Sequence, residues 1–157
     1  MFKEEESLYI YVNSAVDTQQ IEKERLLKEL ITVVSEGSSI RFDVQGVFSS
    51  VLEREAVSTT GFGEGFAIPH GKASDLKKPL VAVMKLQQGV EWESMDEQKV
   101  NTVILLIVPK ENGEVQHLKL LSRLSYNLMD EEIQLAIKQD QTDEALQSTV
   151  QLMLTEI

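Results

Sequence analysis

Nine residues, Val100 to Val108 (VNTVILLIV), run with little polar interruption into Pro109. A strand wet on one face alternates apolar and polar side chains, whereas a continuous run rich in β-branched residues is apolar on both faces and needs cover above and below. The run predicts a central sheet strand that Pro109 ends. A shorter apolar run, Leu80 to Leu86 behind Pro79, predicts a second strand, and Leu8 to Val12 an edge strand. The cover comes from helical periodicity. Between Ile21 and Glu36, Leu26, Leu27, Leu30, Ile31 and Val34 follow the i, i+3, i+4 rule, with Gly37 as stop signal. A second helix is expected from an N-cap at Asp43 to Glu55, burying Val44, Val47, Phe48, Val51 and Leu52. Three more are expected at Glu114–Met129, Glu131–Lys138 and Thr142–Leu154. Gly89 to Lys99, with the single Trp92, reads as a polar connection. Helices before and after the strands predict an α/β fold, a single mixed β-sheet of about five strands flanked by helices on both faces. No repeat or linker interrupts the chain, so residues 1–157 are expected to form one domain.

Composition narrows the function. With no cysteine, disulfides, thiolate metal sites and a cysteine nucleophile are excluded. A formal net charge of −11 argues against nucleic-acid and anionic-membrane partners, which are held by clustered Lys and Arg. Met1 opens onto Lys3 and Glu4 to Glu6, with no apolar segment of a secretion signal behind it. No apolar run approaches the roughly 18 residues a membrane span needs. A cytoplasmic chain without membrane insertion is therefore expected. The acid is uneven, because residues 61 to 80 carry three basic groups (Lys72, Lys77, Lys78) against two acidic ones (Glu64, Asp75), the one window that is not net acidic.

That window opens with GFGEGFAIPHGK, residues 61 to 72. A dinucleotide fingerprint fails, since Phe66 occupies the third glycine position and Pro69 sits where a helix should run. A phosphate-binding P-loop fails as well, with five residues rather than four between Gly65 and Gly71, and Ala73 lacking the hydroxyl. A G-x-S-x-G elbow is absent. What remains is His70, stiffened by Pro69 and freed of bulk by Gly71, with glycine N–H groups nearby that could meet an anion. A neutral imidazole suits nucleophilic or acid–base work at neutral pH, although a turn residue with no chemistry fits the local sequence equally. His117 continues the stripe of Leu121, Leu124 and Leu128, so it is either a core-edge histidine or one reaching from a helix start toward the site of His70. Arg54, between Glu53 and Glu55, is either a helix-end cation in surface ion pairs or a third member of that site. His-Glu-x-x-His is absent and no carboxylate lies at ligand spacing from His70, so no metal is expected.

Leu52 to Lys72, LEREAVSTTGFGEGFAIPHGK, closely resembles the active-site stretch of the fructose/mannitol-type enzyme IIA domains of the bacterial phosphoenolpyruvate-dependent sugar phosphotransferase system. The resemblance extends to Val103–Pro109 (VILLIVP) and to His117–Leu121 (HLKLL), and so to nearly the whole chain. It implies that His70 is the phosphorylated residue, with His117 as the supporting histidine and Arg54 as the active-site arginine. It further implies that the phosphocarrier protein HPr donates the phosphoryl group and that a cognate enzyme IIB accepts it, usually on a cysteine, ahead of the membrane IIC. No cofactor is implied, since donor and acceptor are both proteins. Many members carry an asparagine where this chain has Glu64. The resemblance leaves two uses, sugar uptake by a free-standing IIA unit or signalling in the manner of the nitrogen-related enzyme IIA proteins. A histidine-dependent hydrolase unrelated to transport is the remaining alternative.

Overall fold

The computed structural model describes residues 8–94, 96–111 and 113–155. The charged opening from Lys3 to Glu6 lies outside them. In chain order the elements are β1 (Tyr9–Val16), α1 (Lys23–Ser38), α2 (Val44–Val57), β2 (Gly61–Gly63), β3 (Phe66–Ala67), β4 (His70–Ala73), β5 (Leu80–Val90), β6 (Val100–Pro109), α3 (Gly113–Leu128), α4 (Glu131–Gln139) and α5 (Asp143–Thr155). The strands form one six-stranded mixed sheet in the order β1-β5-β6-β3-β2, with β4 also on β6.

β6 is central, as its composition demands. Val103, Leu105 and Ile107 point into the core under α1 and α2, while Ile104, Leu106 and Val108 point into the core under α3 to α5. All six are at most 1% exposed. Burial of each stabilises the fold by roughly 1.5–3 kcal/mol, so this one strand contributes on the order of 10 kcal/mol before chain entropy is subtracted. β5 alternates in the same way and pairs antiparallel with β6, and β1 lies parallel to β5 at the sheet edge.

Several boundaries differ from expectation for physical reasons. β5 runs past Leu86 to Val90, which pairs with Val100 across an irregularity in the register, so Gly89 lies within the hairpin rather than after it. Helix α1 continues through Gly37, whose missing Cβ admits Tyr11, and the left-handed residue that ends the helix is Ser39. Asp43 does cap α2, but its carboxylate accepts no helix N–H; its own N–H donates to Asp75 at 3.4 Å. Within α2, Val47 and Val51 are fully buried, and Val44, Phe48 and Leu52 are partly so. Three of the six strands, β2, β3 and β4, come from the glycine stretch, where the sequence pattern predicts none.

Candidate functional site

β3 and β4 lie end to end along one edge of β6. Phe66 and Ala67 pair with Thr102 and Val103, and His70 to Ala73 pair with Leu106 to Pro109. Ile68 and Pro69 interrupt the ladder between them, since proline has no N–H to donate, although its carbonyl still accepts from Leu106 at 3.0 Å. His70 is therefore the first residue of β4. Side chains alternate from there: Gly71 and Ala73 face α2, while His70 faces His117 on α3.

The His70 ring is 5% exposed, and its Nδ1 lies 3.0 Å from the carbonyl of Ile68. A carbonyl only accepts, so Nδ1 carries the hydrogen and the lone pair is left on Nε2. The ring of His117 is 4.7 Å away between centroids and tilted by 52°. Its Nε2 is buried and finds no hydrogen-bond partner among the described residues. Burial pushes the pKa of His70 below the ordinary histidine value; the bond to Ile68 and the charge of Glu55 oppose this, and Arg54 reinforces it. His117 is lowered too, by burial first and then by His70, Lys72 and Arg54. Both rings are thus biased toward the neutral form.

Arg54 lies in the last turn of α2, where a cation complements the helix dipole. Its Nη1 donates to the carbonyl of Ser58 at 2.8 Å rather than to the flanking Glu53 or Glu55. It lines the same cavity as the two histidines, about 280 Å³ in volume, together with Ser50, Glu53, Gly71, Lys72 and Val108. The structure thus brings all three predicted residues together from three elements. Ser50, Glu53 and Lys72 were not singled out for the site. Their signal was present in the spacing, since Ser50, Glu53 and Arg54 share one helical face at i, i+3, i+4, and Lys72 is two residues beyond His70 on its strand. Two larger cavities, of about 460 and 680 Å³, contain no histidine, so chemistry rather than volume distinguishes the smaller one.

Two expectations about the glycine stretch are corrected. The N–H groups of Gly61, Gly63 and Gly65 do not serve this cavity, because those residues form the β2–β3 hairpin. Its turn has positive φ at Gly63, Glu64 and Gly65, and the Glu64 N–H donates to Asp96 at 2.7 Å. Glu64 is accordingly a turn residue and not part of the cavity lining. Gly71 does not leave open space either. A Cβ there would lie 2.8 Å from Val51 Cγ2 and 3.1 Å from the Val51 backbone N, so this glycine lets α2 approach β4. Ser50 Oγ then accepts from the Lys72 N–H at 2.9 Å.

Among the described residues no three His, Asp or Glu converge to hold a metal ion, and no helix is long and apolar enough to cross a membrane. The family model described as "Phosphoenolpyruvate-dependent sugar phosphotransferase system, EIIA 2" matches residues 5–152. The chain is 33% identical over 121 residues to the PTS system fructose-like EIIA component of Escherichia coli strain K12, covering 77% of this chain and 80% of that one. It is 32% identical over 128 residues to a nitrogen regulatory protein of Pseudomonas aeruginosa, covering 82% of each. Against the PTS system fructose-specific EIIABC component of Bacillus subtilis it is 36% identical over 125 residues, 80% of this chain but only 19% of that longer protein. Among solved structures, the nitrogen regulatory protein IIA-Ntr of Neisseria meningitidis superposes with a TM-score of 0.75 at 27% identity, covering 99% of this chain and 100% of that one. The fold is shared with enzyme IIAMtl in its complex with phosphorylated enzyme IIBMtl from Escherichia coli (TM-score 0.63, 17% identity, 92% and 94% covered).

Proposed function

Because the chain belongs to the EIIA 2 family of the phosphoenolpyruvate-dependent sugar phosphotransferase system, we propose that it is a phosphohistidine carrier forming one domain over residues 1–157. It accepts a phosphoryl group from phospho-HPr on Nε2 of His70 and passes it to a cognate enzyme IIB for sugar uptake, working in the cytoplasm. The observation that carries this reading is the hydrogen bond from His70 Nδ1 to Ile68, which directs the ring's lone pair to Nε2 beside Arg54 and His117.

The step balances without a proton shuttle. The Nε2 lone pair forms a bond to phosphorus while the bond between phosphorus and the donor breaks, and its electron pair leaves with the donor. Nδ1 keeps its hydrogen, and the positive charge the ring acquires is met by the Ile68 carbonyl. In-line positioning and charge neutralisation are most of what phosphoryl transfer asks of a protein. Arg54 offers a fixed cation to the transferring oxygens, and the orphaned Nε2 of His117 is an atom that a phosphoryl oxygen would satisfy. Transfer to enzyme IIB reverses the same motions.

A second reading, regulation through the phosphorylation state of His70, is favoured by the likeness to nitrogen regulatory proteins. Its chemistry at His70 is identical, and only the onward partner differs. Incubation with phosphoenolpyruvate, enzyme I and HPr should add one acid-labile, alkali-stable phosphoryl group by intact mass, and His70→Ala should abolish it. A wild-type protein that gains no mass refutes both readings. Passage of the label to a sugar-specific enzyme IIB selects uptake, and its absence with every such partner selects regulation. Arg54→Ala should slow the transfer by about a hundredfold, the scale of losing one charge-stabilising donor, and an unchanged rate removes Arg54 from the site.

A further inference from the structure

Glu55 follows Arg54 on α2 but turns away from the cavity. Its carboxylate is 6% exposed and takes an ion pair from Lys23 at 2.7 Å. It also accepts a short hydrogen bond from Thr60 Oγ1 and a longer one, 3.4 Å, from the Thr60 N–H. Thr60 is itself buried, and its carbonyl accepts from the Ile68 N–H at 3.0 Å. The Ile68 carbonyl is the group that accepts from His70 Nδ1 at 3.0 Å. An unbroken line of bonds thus joins the last turn of α2 to the ring: Glu55 holds Thr60, Thr60 holds Ile68, and Ile68 holds the imidazole.

We propose that Glu55 is a positioning residue for His70, fixing the Thr60–Ile68 backbone so that the Ile68 carbonyl keeps the ring in its Nδ1–H tautomer and directs Nε2 at the phosphoryl group. Two consecutive residues of one helix turn then divide the work. Arg54 meets the cavity, and Glu55 sets the angle at which the histidine enters it. A buried carboxylate is retained only where it is paired and hydrogen-bonded, and Lys23 and Thr60 meet that requirement without using the cavity side of the helix. The charge on Glu55 also favours positive charge on the His70 ring, which is the charge the ring gains when Nε2 takes phosphorus.

The proposal rests on the phosphohistidine reading for its rate measurement only. In ¹⁵N-labelled, unphosphorylated protein above neutral pH, long-range ¹H–¹⁵N correlations should report His70 as the Nδ1–H tautomer. Glu55→Ala should convert that signal to a tautomer mixture and slow phosphorylation by about tenfold, the order expected for loss of a near-attack orientation. Glu55→Gln keeps an acceptor for Thr60 and should restore the single tautomer and most of the rate. A folded Glu55→Ala protein, checked by circular dichroism, that retains the pure tautomer and the wild-type rate overturns the proposal. Thr60→Val cuts the line with the Glu55–Lys23 pair in place and covers the case in which Glu55→Ala does not fold. It should reproduce the mixture, and an unaltered His70 signal there overturns the proposal too. If wild-type protein never gains phosphate, the phosphohistidine reading falls, and the tautomer measurement still decides the role of Glu55.

Discussion

Adding one methyl group at Gly71 should damage both stability and transfer. The φ of Gly71 lies outside the left-handed region, so alanine fits the backbone and the cost is packing alone. The new Cβ would sit 2.8 Å from Val51 Cγ2, 3.1 Å from the Val51 backbone N and 3.2 Å from Ser50 Oγ. A side chain can rotate aside, but the backbone N of a helix cannot move unless α2 moves. Overpacking of this kind costs about 1–3 kcal/mol. Displacing α2 also lengthens the bond from the Lys72 N–H to Ser50 Oγ, now 2.9 Å, worth about 0.5–1.5 kcal/mol. Gly71→Ala should therefore lose about 2–4 kcal/mol, which in a chain of 157 residues lowers Tm by roughly 5–15 °C. Urea unfolding followed by circular dichroism should show a lower midpoint at unchanged slope. Because α2 carries Ser50 and Arg54, its displacement also withdraws them from His70. The phosphorylation rate should fall by about tenfold to a hundredfold, the scale attached to misplacements approaching 1 Å. Trimming the obstructing methyl with Val51→Ala in the same chain should recover part of the rate relative to Gly71→Ala alone. A Gly71→Ala protein with the wild-type urea midpoint and rate would refute the claim that this glycine exists for the approach of α2 to β4.

Glu64 occupies the left-handed region at φ 57°, and its contact to Asp96 uses only its backbone N–H. Glu64→Asn, which suits that conformation, should stabilise the fold by about 0.5–1 kcal/mol and leave phosphorylation unchanged; a fall in the rate would mean that the Glu64 side chain serves the site. Acid should weaken the fold through the histidines. Both have pKa values lowered in the folded state, so as pH falls below about 6.5 the unfolded chain takes up protons first, and stability declines until the lowered values are passed. Above that window these groups make no contribution to the slope. Thermal melts across the window should show the decline, and His117→Gln should make it shallower; an equally steep decline in that variant would contradict the assignment. Charge reversal of Lys77 and Lys78 should slow transfer from HPr at low salt and flatten its salt dependence, whereas an unchanged rate and salt dependence would show that this near-neutral window does not steer the donor.

Much of the layered fold was legible because burial leaves a pattern. Val100 to Val108 could be covered on both faces only in the middle of a sheet between helices, and the leucine spacing in Glu114–Met129 could only be a helix. β2, β3 and β4 left no such pattern. Strands of two to four residues built around glycine have too few side chains to show a period, and they are held by register on β6, which is not a local property. Gly71 shows the same limit at one position. Its neighbours suggested room for a histidine, but the room is filled by a helix some twenty residues earlier in the chain.

For the site, chemistry was legible one residue at a time and ambiguous each time. His70, His117 and Arg54 each had an ordinary structural explanation, and Arg54 keeps only the helix-end part of it, since it bonds the Ser58 carbonyl at the end of its own helix, not a flanking glutamate, while it lines the cavity. What local reading could not supply was coincidence in space, and that depends on β6. The strand pairs with His70 through Leu106 and then leads into α3, so it delivers His117 to the face where Pro69 has already placed the first ring. The orientation of the ring is set one residue before Pro69, at Ile68. The Pro69 carbonyl faces β6 and accepts from Leu106, whereas Ile68 faces the opposite edge, where its N–H donates to Thr60 and its carbonyl takes the Nδ1–H of His70 and commits the lone pair to Nε2. The lone pair is thus placed by a backbone carbonyl on the edge of the strand away from β6 rather than by a side chain in direct contact with the ring.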